Sequence, residues 1–115
     1  MEKTIVYARS GKDPFDEALA AAAGDDFTVL VTETLSRNNP VTADLVVLDT
    51  NFTRFSARFA EAVQEMKDRG QKVMIVSDGH VPEAVQMGFR THVTVFIQKA
   101  LSPAAVRVAI LEAIR

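Results

Sequence analysis

The feature that most constrains this chain is a set of short apolar runs that do not alternate with polar residues. They fall at positions 4–8, 28–32, 45–49 and 73–77, and Val, Ile and Leu dominate them. A strand with one wet face alternates, whereas a strand buried on both faces reads as a continuous hydrophobic run. These runs are therefore expected as strands of a parallel sheet covered on both sides. A fifth run, 93–97, has the same character in weaker form.

Helical patterns fill the gaps. Residues 13–23 are Ala-rich, open with Asp13-Pro14 and stop at Gly24, which is the usual punctuation of a helix. Phe52, Phe55, Phe59, Val63 and Met66 recur at helical spacing, and Gly70 closes that segment, so they read as a core-facing stripe. Residues 83–87 suggest a short helix ending at Gly88, and Ser102-Pro103 opens a last one, with Ser as N-cap and Pro at the first position. Only positions 33–43 join the second and third strands, and they include Asn38-Asn39-Pro40. One helical turn or an irregular loop is expected there, so the second helix is shortened or missing. Strands alternating with helices imply α/β architecture with right-handed crossovers.

Composition bounds the rest. A chain of 115 residues fits one domain spanning 1–115, and 48% hydrophobic residues suffice for a real core. The formal charge is −2 and the 13 basic residues are scattered, so no field calls for nucleic acid or anionic lipid. The absence of Cys removes disulfide frameworks, thiolate zinc sites and cysteine nucleophiles. His80 and His92 have no neighbouring ligand pattern. No apolar run approaches the roughly 18 residues of a membrane span, and the N-terminus lacks the shape of a signal peptide. The expectation is a soluble, cytoplasmic domain.

Open parallel sheets bind ligands outside the carboxyl ends of their strands. Those ends read Ala8-Arg9-Ser10, Asp49-Thr50-Asn51, Ser77-Asp78-Gly79 and Gln98-Lys99-Ala100. A carboxylate, a hydroxyl and an ammonium would thus converge on one rim. A carboxylate can attack phosphorus covalently, and the transferred group needs a donor and a cation on its oxygens.

The stretches Leu45-Val46-Val47-Leu48-Asp49, Val73-Met74-Ile75-Val76-Ser77 and Phe96-Ile97-Gln98-Lys99, in that order at the ends of three strands, resemble the receiver domain of two-component response regulators. The resemblance spans the chain in element order. It implies a flavodoxin-like three-layer sandwich with a five-stranded parallel sheet in the order 2-1-3-4-5. By resemblance Asp49 would accept the phosphoryl group, Ser77 would bond a phosphoryl oxygen, and Lys99 would pair with its charge. Asn51 would offer a backbone carbonyl to Mg²⁺ beside Asp49, and Phe96 fits the position of the family's switch aromatic.

The departures from the family pattern decide the functional expectation. Receivers hold Mg²⁺ through an acidic pair at the end of the first strand, and here Ala8 and Arg9 stand in that place. Mg²⁺ needs hard oxygen ligands, so the cofactor expectation is none, or weak Mg²⁺. Arg9 would instead reach Asp49 and stand in for the metal's charge. Asp25 and Asp26 precede the second strand, at the opposite edge of the sheet, and cannot help. Ala100 follows Lys99 where receivers usually carry Pro, and the loop around 90–92 carries an insertion.

The expected function is therefore an atypical receiver, a pseudo-receiver in signal transduction, that works mainly by binding protein. Its partner surface would be the face of the last two helices and strand five. Val108 and Leu111 lie outside the helical core stripe and would contact a protein partner or a second copy. The alternative is a working receiver that takes a phosphoryl group from a histidine kinase on Asp49. An enzyme is not expected. Asp49-Thr50-Asn51 superficially resembles the opening motif of haloacid-dehalogenase phosphatases and PIN nucleases, but those place this Asp after the first strand.

Overall fold

Each apolar run becomes a strand. β1 (Lys3–Ala8), β2 (Phe27–Thr32), β3 (Leu45–Asp49), β4 (Val73–Ser77) and β5 (Val95–Gln98) form one sheet in the order β2-β1-β3-β4-β5, and all four pairings are parallel. These positions come from a computed structural model that describes residues 3–9, 11, 14–32, 43–49, 57–77, 95–98 and 102–114. The order 2-1-3-4-5 and the flavodoxin-like layering are those that the resemblance implies. The linker at 33–42, the short helix at 83–87 and the insertion at 90–92 lie outside the described residues.

The helices divide between the two faces. α1 (Phe15–Ala23) and α3 (Pro103–Ile114) cover one face, and α2 (Ala57–Asp68) covers the other. Strand alternation feeds both layers. Ile5, Tyr7, Leu45 and Val47 pack with Leu19 and Ile110, while Val6, Ala8, Leu48 and Ile75 pack with Val63 and Met66. All five residues of β3 and of β4 are buried, which is why their sequences show no alternation. Burying a Leu or Ile side chain fully contributes about 1.5–3 kcal/mol, so the central strands anchor the fold. β2 is an edge strand, and Leu30 and Val31 are exposed there.

The helix ends follow local chemistry. Ser102 caps α3 as expected, its Oγ accepting the Ala105 N–H at 3.3 Å. α1 begins at Phe15 with Pro14 as N-cap, two residues later than the Asp13 start suggested by sequence. At its other end Gly24 takes φ +56°, open to a residue without Cβ. α1 has no basic residue in its last turn, and α3 supplies one. The Arg107 guanidinium donates to the Ala22 and Ala23 carbonyls at 2.9 and 3.3 Å and pairs with Asp26. It also lies 5.8 Å from the centroid of the Phe27 ring. One side chain thereby caps α1 and ties it to α3. Among the described residues no helix is long and apolar enough to cross a membrane.

Candidate functional site

The parallel register brings the carboxyl ends of β1, β3, β4 and β5 to one rim. Ala8 pairs with Leu48, Asp49 with Val76, and Ser77 with Gln98. Asp49 and Ser77 thus end neighbouring strands. Pleat alternation assigns them differently, however. Asp49 is in phase with Leu45 and Val47 on the α1/α3 face, whereas Ser77 is in phase with Val73 and Ile75 on the α2 face. Both side chains are buried, Asp49 fully. Lys99, Asn51 and Asp78 lie outside the described residues, and β5 carries Phe96 within its backbone ladder.

A residue that sequence reasoning missed meets Asp49. Tyr7 is in β1 on the same face, is fully buried, and donates its hydroxyl to Asp49 Oδ2 at 2.7 Å. Its ring meets Phe15, in the first turn of α1, edge to face at 5.5 Å. The signal was present. Tyr7 is the one Tyr of the chain and stands between Val6 and Ala8 in a largely apolar run, and a buried Tyr hydroxyl usually finds an acceptor.

Arg9 does not follow the expectation that placed its guanidinium on Asp49. Nε and Nη2 fork onto Asp16 at 2.8 and 2.7 Å. The reason is local geometry. The Arg9 N–H bonds the Thr32 carbonyl at 3.1 Å and continues the β1–β2 ladder past the strand. Asp16 then stands in the first turn of the next helix, where an anion is favoured by the helix dipole and offers two oxygens in one plane. Fork and carboxylate match, and the pair is partly buried, with side-chain exposures of 11% and 21%.

Asp25 and Asp26 stand at the opposite end of the sheet, where the Lys3 N–H meets the Asp26 carbonyl at 3.5 Å. An open cleft of about 360 Å³, lined in part by Asp26, Phe27, Arg107 and Leu111, lies at that end and not at the Asp49 rim.

No family profile matches the sequence, and no curated protein does either. Solved structures match closely in shape. A response regulator from Thermotoga maritima superposes with a TM-score of 0.80 at 14% identity, covering 99% of this chain and 98% of that one. A response regulator receiver protein from Pseudoalteromonas atlantica gives 0.74 at 12% identity, with 96% of each chain covered. A putative pilus assembly protein (cpaE) from Burkholderia thailandensis gives 0.76 at 17% identity, covering 96% and 97%. The chain has the receiver fold.

Among the described residues, the rim lacks the acidic pair through which receivers hold Mg²⁺. Mg²⁺ demands near-octahedral oxygen ligation. Ala8 presents a methyl group, Arg9 presents a cation, and both Asp16 oxygens accept from Arg9. Among the described residues no group of three or more His, Asp or Glu side chains gathers.

Proposed function

We propose that this chain is an atypical response-regulator receiver module that acts mainly through protein–protein binding, with a degenerate phosphoacceptor site. One observation carries the reading. Where a receiver would present its acidic pair, β1 ends in Ala8 and is followed by an Arg9 bound to Asp16. A guanidinium cannot ligate a cation, and its charge repels one. In this reading the module takes no Mg²⁺, or takes it weakly, catalyses no reaction, and serves in the cytoplasm without binding nucleic acid or membrane.

The partner surface in this proposal is the outer side of α3 together with β5. Val108 and Leu111 are 65% and 47% exposed, and Ala104 joins them at the spacing i, i+4, i+7. Apolar residues at that spacing form one stripe. A protein partner or a second copy would cover it.

The competing reading makes Asp49 the acceptor of a phosphoryl group from a histidine kinase, with Ser77 and Lys99 as its helpers. It draws on Asp49 and Ser77 ending adjacent strands. Intact-mass measurement after incubation with acetyl phosphate and Mg²⁺ separates the two. The proposal expects no added phosphoryl mass. A gain that disappears in Asp49→Asn would replace the proposal with the working receiver.

A further inference from the structure

We propose that Tyr7 is a positioning residue that holds Asp49 closed, its hydroxyl occupying the carboxylate oxygen that would otherwise turn outward at the rim. The inference rests on the reading of Asp49 as the acceptor position of a receiver fold, and adds what keeps it shut.

The geometry has three parts. The 2.7 Å bond joins two side chains that are both fully buried. Tyr7 and Asp49 lie on the face covered by α1 and α3, in phase with Ile5 and Val47, so the bond draws the carboxyl group toward the core and away from solvent. The Tyr7 ring cannot swing away freely, because the Phe15 ring packs against it in a T-shaped contact at an interplanar angle of 70°. A hydrogen bond from a buried hydroxyl to a buried carboxyl group is costly to leave unmade. Opening Asp49 therefore requires loss of this bond or displacement of the first turn of α1.

Reach to solvent is the readout. The full chain is treated, in its native state, with a water-soluble carbodiimide and glycinamide. A reacted carboxyl group adds to the carbodiimide carbon, the amine displaces the resulting urea, and an amide forms. Peptide mass mapping gives the rate at each acid. In the wild type Asp49 should label far more slowly than exposed Asp25. Tyr7→Phe removes one oxygen atom and should raise labelling at Asp49 roughly tenfold, the size expected for one buried hydrogen bond, with Asp25 unchanged. Phe15→Leu keeps the hydroxyl but loosens the ring, and should give a smaller rise. Amide exchange of β3 in each variant separates local opening from global unfolding, which would speed both together.

Asp49 labelling that stays at the wild-type rate in both variants, with β3 protected, would overturn the proposal. So would wild-type labelling of Asp49 as fast as that of Asp25. Neither arm uses metal or phosphate. A phosphoryl mass gain in the wild type would sink the degenerate-site reading alone, and a flat carbodiimide result would sink the closing role of Tyr7 alone.

Discussion

Replacing Asp16 should cost far more than replacing Arg9, although each change breaks the same ion pair. The side chains are 11% (Arg9) and 21% (Asp16) exposed and are joined by two bonds of 2.8 and 2.7 Å. Asp16→Asn leaves a nearly buried guanidinium facing a neutral amide. Breaking a fully buried pair this way costs about 3–5 kcal/mol, and an exposed pair contributes about 0–1 kcal/mol. This pair sits between those limits, which gives roughly 2 kcal/mol. In a domain of this size that is a fall in Tm of roughly 6–10 °C. Arg9→Met removes the desolvated charge and keeps an apolar stem of similar reach. Such exchanges are often close to neutral, so the loss should stay under about 1 kcal/mol. The Asp16 carboxylate that remains is in the first helical turn, where the helix dipole favours it. The double variant should therefore be more stable than Asp16→Asn alone. Urea unfolding of the four proteins, followed by circular dichroism with the slopes compared, measures this directly. Equal losses in the two single variants, or an Asp16→Asn loss below about 0.5 kcal/mol, would refute the reasoning.

Four further outcomes are expected. Arg107→Met should lose about 1–2 kcal/mol in urea unfolding, most of it insensitive to salt, because the bonds to the Ala22 and Ala23 carbonyls outweigh the exposed pair with Asp26. Gly24→Ala should cost about 1–2 kcal/mol by the same assay through backbone strain at φ +56°, since an added Cβ would meet Arg107 Nη1 only at 3.7 Å. Ile110→Ala, at a fully buried position, should cost about 2–5 kcal/mol, whereas Val108→Ser, 65% exposed on the same helix, should change stability by less than about 0.5 kcal/mol. If the stripe joins two copies, sedimentation of the Val108→Ser, Leu111→Ser double variant would shift toward monomer.

The sequence carried the sheet and lost part of the site, for physical reasons. β3 and β4 match their expected bounds because both faces of each strand are buried and every residue is under the same hydrophobic demand. β2 reads the same way in sequence, yet its burial is uneven, because an edge position cannot be told from a central one by hydropathy. The exposed pair Val108 and Leu111 was legible, since a helix can bury only one stripe. The partner of Arg9 was not. Charge arithmetic pointed to Asp49 across the sheet, but the backbone of Arg9 continues the ladder with Thr32 and meets the first turn of α1. Tyr7 was passed over as one more strand residue, although a hydroxyl in an apolar run demands an acceptor, and Asp49 supplies it.

The claim beneath all of this concerns the cation half of the rim. Titration of the full chain with MgCl₂, followed by amide chemical shifts, tests it most directly. No saturable shift is expected at Ala8, Leu48 or Asp49 in the millimolar range. Saturable millimolar shifts centred on Asp49 and lost in Asp49→Asn would contradict it.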